Sequence, residues 1–398
     1  MERQKRFFIK TYGCQANVAD SGEMAGMLEA SGFERYTPKT AQNEKIELEE
    51  ALKNVEVFII NSCAVRQKSE DKVYGLGKLV LATQENTGRK PFVIMSGCVV
   101  GSSTGARKLT DMGLLQKKTP WVDLYLSPAD IAILPRKLYE VGVITQSLSS
   151  SLSYSIAVED PDWAFVNIST GCDNFCSYCV VPYARGAEIS RSQEAILADV
   201  EKLLARGYGK IMLVGQNVNS WGLEQKDKLA IRIGQDLPTP FVKLLREVHE
   251  MAGLESLTFM SSNPFDFTSE LVSTLKLPKI HNYLHIAVQS GNNAILKKMN
   301  RRHTVEDFLA LLENIKQAVP NMEFGTDIIV GFPSETRGQF MDTVKLFEQV
   351  LFKAAFISKY SPRKGTVAQR LYPDDVSPKE KSARHAYLTK VWQKHRNK

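Results

Sequence analysis

Residues 171–182 read Gly171-Cys172-Asp173-Asn174-Phe175-Cys176-Ser177-Tyr178-Cys179-Val180-Val181-Pro182, placing three of the chain's six cysteines within eight residues. Thiolates at that spacing, on a loop tight enough to aim all three at one point, hold a metal ion or an iron–sulfur cluster. The number of thiols discriminates between the two. A structural zinc needs a fourth Cys or His, and the next histidine in the chain is His249. Three ligands on a four-iron cluster leave one iron open to a substrate or cofactor. The competing readings are a zinc ligated from a distance and three merely buried cysteines.

The cysteine loop follows an apolar run, Ala164–Ile168, and five more follow it: Lys210–Val214, Ser256–Met260, Tyr283–Val288, Glu323–Val330 and Ala354–Tyr360. Amphipathic helical stretches such as Glu194–Leu204 and Val305–Ala318 lie between them. Six such units predict a partial or complete parallel barrel with its chemistry at the carboxyl ends of the strands. Groups at those ends become candidates for binding a cofactor: Gly215, Gln216, Asn217, Ser262, Gln289, Ser290, Asp327 and Gly331. Each is weak alone, since polar residues at strand ends usually cap helices.

The amino-terminal third has the same rhythm. Strands are expected at Phe7–Ile9, Val57–Ile60 and Phe92–Met95, with a helix from about Asp20 carrying Met24, Met27 and Leu28 on one face. Each strand delivers a cysteine just beyond its end: Cys14, Cys63 and Cys98. Alternating strands and helices imply an open parallel sheet, whose ligands collect outside the carboxyl ends of its strands. The three cysteines would converge there as a second three-thiolate site. The alternative is three unrelated buried cysteines.

The domains expected are 1–135, a linker at 136–160 that contains the Ser-rich run Thr145–Ser153, and 161–398 with a basic carboxyl-terminal helix. The net charge of +7 permits RNA binding. Basic residues concentrate at Lys297, Lys298, Arg301 and Arg302, and along Lys379, Lys381, Arg384, Lys390, Lys394, Arg396 and Lys398. No apolar run approaches the roughly 18 residues that span a bilayer. Six cysteines and an opening Met1-Glu2-Arg3-Gln4-Lys5-Arg6 with no secretory stretch lead to the expectation of a reducing cytoplasm, and a monomer is expected without a sequence feature that derives it.

The spacing Cys172-x3-Cys176-x2-Cys179 resembles the cluster signature of radical S-adenosylmethionine enzymes. Its flanks, through Val180-Val181-Pro182-Tyr183-Ala184-Arg185-Gly186 and Ser190-Arg191-Ser192, resemble the tRNA-modifying methylthiotransferases. Thr11-Tyr12-Gly13-Cys14-Gln15-Ala16-Asn17 and Asn61-Ser62-Cys63-Ala64-Val65-Arg66 are similar to that family's amino-terminal domain. So are Gly215-Gln216-Asn217-Val218-Asn219, Gln289-Ser290-Gly291, Met299-Asn300-Arg301, Thr326–Pro333 and Tyr360–Arg363 to its later strings. The resemblance implies a six-unit partial barrel and two 4Fe-4S clusters, one on Cys172, Cys176 and Cys179 and an auxiliary one on Cys14, Cys63 and Cys98. It implies S-adenosylmethionine as cofactor, Cys172, Cys176 and Cys179 as catalytic residues, and a methylthio group inserted at C2 of isopentenylated adenosine at position 37 in the tRNA anticodon loop. An electron donor of flavodoxin or ferredoxin type and a sulfur donor are implied as partners. The family's usual carboxyl-terminal RNA-binding β-barrel is expected to be missing, because the chain stops at Lys398. Activity on threonylcarbamoyladenosine or a ribosomal protein, or a non-catalytic iron–sulfur or zinc protein, are the alternatives.

Overall fold

The computed structural model describes residues 4–39, 43–65, 67–145 and 155–396. The chain divides into two compact units, Met1–Asp173 with Val180–Ile189, and Asn174–Cys179 with Ser190–Lys398.

The first unit is built on a five-stranded sheet whose hydrogen-bonded pairs are all parallel. In spatial order its strands are Glu34–Arg35, Arg6–Tyr12, Val57–Ser62, Phe92–Gly97 and Leu124–Leu126. Strand order therefore reverses between Arg6–Tyr12 and Val57–Ser62, the topological switch point at which open α/β sheets bind ligands. The strand Val57–Ser62 is buried at every position, as a central parallel strand covered on both faces must be. Helix Gln15–Ala30 starts five residues before the expected Asp20. The cause is local: the Asn17 side-chain oxygen accepts from the Cys14 backbone N–H at 3.4 Å, so the turn closes directly on the cysteine.

The boundary expected at 135 falls inside a helix, Leu134–Glu140. Ile144, Ile156 and Ala157 are buried, and the Ala157 N–H donates to the Gly22 carbonyl at 3.0 Å. Both flanks of the expected linker thus belong to the first unit's core, because short apolar runs on either side of the serines fill its surface. Residues 146–153 of the Ser-rich run lie outside the described residues.

In the second unit, Lys210–Val214 pairs with Ser256–Phe259, and Tyr283–His285 with Glu323–Val330, which pairs in turn with Phe352–Lys359, all parallel. A parallel bridge between Ser262 and Ile286 joins the two groups. Five of the six expected strands follow one another here, separated by helices including Pro240–Glu250, Val305–Ala318 and Arg337–Gln349. The sixth, Ala164–Asn167, falls among the residues of the first unit. Helix Pro378–Arg396 packs on Phe352–Lys359, where Trp392 Nε1–H donates to the Phe352 carbonyl at 2.8 Å.

Candidate iron–sulfur sites

Register sets side by side the three strand ends that precede the first three cysteines. Tyr12 pairs with Ser62 and Ser62 with Gly97, so the three strand ends stand side by side at one spacing of about 4.8 Å. Cys63 and Cys98 directly follow two of these ends, and Cys14 lies two residues past the third. The Cys63 N–H donates to the Tyr12 carbonyl at 2.8 Å. Gly97, at φ 92°, turns the chain from strand into the short helix Cys98–Gly101; a Cβ there would lie 2.4 Å from the Ser62 carbonyl oxygen. No side chain fits at that position.

A buried polar network backs this sheet edge. Asn17 Nδ2–H donates to Asn61 Oδ1 at 2.9 Å, and Asn61 Nδ2–H donates to the Asn17 carbonyl at 2.8 Å and to Ser21 Oγ at 3.0 Å. Arg185 and Asp20 form an ion pair at 2.6 Å with side chains 1% and 2% exposed. Asn167 Nδ2–H donates to Asp20 Oδ1 at 3.2 Å. Arg185 Nε–H reaches Cys98 Sγ at 3.4 Å, and the Val65 N–H reaches Cys63 Sγ at 3.2 Å. Burial pushes the Cys98 thiol up, and the guanidinium opposes that shift. Sulfurs that accept N–H donors and sit beside a cation are the environment that an anionic thiolate cluster requires.

The contiguous motif is held by different contacts. Cys172 is buried, and its N–H donates to the Gly186 carbonyl at 3.2 Å. Gly171 before it has φ 76°, and a Cβ there would meet the Ala187 carbonyl oxygen at 2.0 Å. Cys176 and Cys179 share a turn closed by the Cys179 N–H on the Cys176 carbonyl at 2.9 Å. The Ser177 N–H donates to the Met299 carbonyl and its hydroxyl to the Lys298 carbonyl, at 3.0 and 2.8 Å. Asn300 Nδ2–H donates to the Phe175 carbonyl at 3.0 Å, and Arg301 Nη1–H to Cys176 Sγ at 3.5 Å. Arg301 is buried, donating also to Asn263 Oδ1 at 2.8 Å and to the Ala287 carbonyl at 2.6 Å.

Strained backbone marks the same surroundings. Among the described residues, non-glycine positions with left-handed φ are Phe175, Ser261, Gln289, Asn300 and Ser334. All five belong to the second unit, in the cysteine loop or at the ends of strands and a helix. Such conformations persist where surrounding structure over-determines them, as at ligand sites.

The other expected cofactor residues divide. Ser262 Oγ is buried without a hydrogen-bond partner, as is Arg301 Nε, and unpaired donors of this kind suit a polar ligand. Gly215 and Gln216 follow the strand Lys210–Val214. Gln289 is left-handed, with its N–H on the Asp327 carbonyl at 2.9 Å, and Ser290 Oγ accepts from the Asn292 N–H at 3.3 Å. The Gly331 N–H donates to Glu335 at 2.7 Å. Asn217 is a correction: its amide is spent on Ser220 Oγ, Asp266 Oδ2 and Asn263 at 2.8, 2.8 and 2.7 Å, so it braces the loop.

The basic clusters divide as well. Lys381 is buried against Asp374, and Arg384 against Glu335 and Glu380 at 2.7 and 2.9 Å. Arg302 lies over the Phe265 ring at 4.1 Å and pairs with Asp266 at 3.1 Å. These three charges are neutralised within the protein, whereas Lys297, Lys379, Lys390, Lys394 and Arg396 are exposed. Arg185, Asp20, Asn17 and Arg301 are the site residues that sequence reasoning missed. Arg301, Arg185 and Asn17 stood inside strings noted for their resemblance, and that was the available signal.

His303 carries a pH prediction. It is buried between Phe265 and Phe308, with ring centroids at 6.1 and 6.5 Å, and burial followed by the Arg301 charge lowers its pKa to about 3. The folded protein keeps the imidazole neutral, while the unfolded chain protonates below about 6.5. Stability is therefore lost as pH falls from 6.5 toward 3, by at most about 1.4 kcal/mol per unit. Urea midpoints measured between pH 7 and 4.5 should fall more steeply for the wild type than for His303→Gln; parallel curves would refute the assignment.

The comparisons with known proteins agree with this architecture. Residues 166–347 match the model of the radical SAM superfamily, and residues 6–124 match the family described as uncharacterized protein family UPF0004. The fold is similar to that of the radical S-adenosylmethionine methyltransferase TsrM from Kitasatospora setae, solved with cobalamin and a [4Fe-4S] cluster, with TM-score 0.60 and 12% identity, covering 92% of this chain and 77% of that one. The chain is 40% identical over 391 residues to the tRNA-2-methylthio-N(6)-dimethylallyladenosine synthase of Thermotoga petrophila, covering 96% of this chain and 80% of that protein. It is 37% identical over 410 residues to the synthase of Protochlamydia amoebophila, covering 100% and 83%. At this identity and coverage the chain belongs to the family of tRNA-2-methylthio-N(6)-dimethylallyladenosine synthases, radical SAM enzymes that use S-adenosylmethionine and 4Fe-4S clusters.

Among the described residues, no three Cys, His, Asp or Glu side chains are gathered so as to hold a single metal ion. A four-iron cluster ligates each thiolate through a different iron and spreads them more widely than one zinc does. No helix among the described residues is long and apolar enough to cross a membrane.

Proposed function

We propose that this enzyme inserts a methylthio group at C2 of N6-isopentenyladenosine at position 37 of tRNA, with Cys172, Cys176 and Cys179 holding one 4Fe-4S cluster and Cys14, Cys63 and Cys98 a second. The observation that carries the reading is the pair of three-cysteine constellations in a chain 40% identical to a synthase of that name. When bound, the clusters supply the electron that splits S-adenosylmethionine and the site where sulfur is handled. The protein's own residues do the rest. Arg301 donates an N–H to the Cys176 sulfur and Arg185 one to Cys98. Asn300 and Ser177 fix the turn that aims Cys176 and Cys179. Ser262 and the free Nε of Arg301 offer donors to the carboxylate of S-adenosylmethionine. A small electron carrier and a sulfur donor complete the reaction.

Anaerobic reconstitution should give about eight irons per chain. Incubation of that enzyme with S-adenosylmethionine, a reductant and anticodon hairpins, followed by nucleoside mass spectrometry, tests the substrate. Methylthio product is expected on the isopentenylated hairpin. Product only on a threonylcarbamoyladenosine hairpin, or zinc without sulfide, would overturn the reading.

A further inference from the structure

The sheet of the second unit has one face that the mechanism above does not use. Alternate residues Phe324, Ile328 and Val330 are buried, and Phe352, beside Phe324, packs on Phe308 and Phe347 of the neighbouring helices at 6.4 and 5.0 Å. The intervening positions, Gly325, Asp327 and Ile329, must point to the opposite side. In register with them stand His285 beside Gly325 and Phe356 beside Asp327.

On that side the polar groups form a chain. The Tyr283 hydroxyl lies 3.1 Å from His285 Nδ1, and His285 Nε2 lies 2.8 Å from Asp327 Oδ2. Burial, with Asp327 and Glu323, raises the tyrosine's pKa to about 12, so it stays protonated and donates. The carboxylate fixes the tautomer: Asp327 can only accept, so Nε2–H donates to it and Nδ1 of the neutral imidazole accepts from the Tyr283 hydroxyl. The chain lies across Gly325, where a Cβ would come within 2.0 Å of the Tyr283 oxygen and 2.7 Å of His285 Nδ1. His285 is 5% exposed, but the Asp327 side chain is 41% exposed and Phe356 is 48% exposed, its ring 5.4 Å from the imidazole. Tyr178 of the cysteine loop is within electrostatic reach of Cys176, Cys179 and Asp327.

A carboxylate with one oxygen held by a buried histidine presents its other oxygen in a set direction. Beside it stands an exposed aromatic ring. From this geometry we infer that the face is the seat of the target nucleobase: Phe356 stacks on the unstacked purine, and the free oxygen of Asp327, oriented by His285 and Tyr283, accepts the base's N6–H. The inference rests on the proposed isopentenyladenosine substrate, which keeps one hydrogen on N6 after alkylation. It moves Asp327 from the cofactor to the substrate, with His285 as its positioning residue. An unstacked base read by stacking and an edge hydrogen bond is the usual mode for enzymes acting on single-stranded loops.

The test measures binding to the cluster-reconstituted enzyme of two fluorescent anticodon hairpins, one with N6-isopentenyladenosine and one with N6,N6-dimethyladenosine, which lacks the hydrogen. The wild type should prefer the first by about tenfold, the worth of a hydrogen bond to a charged acceptor. Asp327→Ala should abolish that preference by weakening only the first hairpin. Phe356→Ala should weaken both by about tenfold, and Phe356→Tyr should restore them. Both side chains are about half exposed, so neither change opens the core. A preference that survives in Asp327→Ala, or variants that instead raise the dissociation constant of S-adenosylmethionine alone, overturns this inference while leaving the proposed reaction intact. A wild-type enzyme that neither binds nor modifies the isopentenylated hairpin overturns both.

Discussion

Replacing Cys176 by Ala should abolish formation of 5′-deoxyadenosine, whereas replacing Cys63 by Ala should leave that cleavage detectable and eliminate the methylthio product. The two thiols belong to different constellations: Cys176 sits on the turn tied to Met299 and Arg301, and Cys63 at the switch point of the amino-terminal sheet. Loss of one thiolate from a three-ligand set removes a cluster's hold on the protein, so the expected effect on the matching half-reaction is complete. Iron content should fall from about eight to about four per chain in each variant. The measurement is chromatographic quantification of deoxyadenosine and of modified nucleoside from the same reaction. Cleavage retained by the Cys176 variant, or methylthio product made by the Cys63 variant, would show that the two sites had been assigned wrongly.

The second large effect is structural. Asp20→Ala leaves the Arg185 guanidinium buried beside Cys98 without its carboxylate. Breaking a fully buried ion pair from one side costs about 3–5 kcal/mol, far more than an exposed pair is worth. In a unit of this size that corresponds to a fall in Tm of about 10 °C. Asp20→Asn keeps the shape and one of the two acceptor oxygens that Arg185 and Asn167 use, and should lose less. Calorimetry of the apo-protein reads this directly. A shift of less than about 2 °C for Asp20→Ala would mean that water reaches the pair and that it does not brace Cys98.

Much of the fold was legible because apolar runs of four to eight residues have few ways to be buried. Val57–Ser62 and Phe92–Gly97 are such runs, and each ended at a cysteine as expected. Their parallel pairing followed from the helices between them. The start of the first helix was misread because Cys14 and Asn17 close its turn, and a thiol is not a residue from which a cap is expected. The linker was misread because Ile144, Ile156 and Ala157 are too scattered to show a period, though each finds a place in the first unit.

Charged residues were the least legible. Lys381 and Arg384 read as exposed basic surface, yet their carboxylates are Asp374 and Glu335, the latter 49 positions earlier in the chain. Arg301 read as one more cation in a cluster, and folding turned it onto Cys176. A polar side chain's environment depends on which distant residues meet it, and composition carries no record of that.

The linear chain by itself determined the two sets of thiols and the alternation of strands and helices, since spacing and hydrophobic period are local properties that burial must respect. Only the tertiary structure decided that Tyr12, Ser62 and Gly97 end in register, that Arg185 and Arg301 turn their N–H groups onto sulfur, and that Tyr283, His285 and Asp327 line up across Gly325. Those arrangements depend on strand register and close packing between residues far apart in the chain, and folding alone brings such residues within hydrogen-bonding distance.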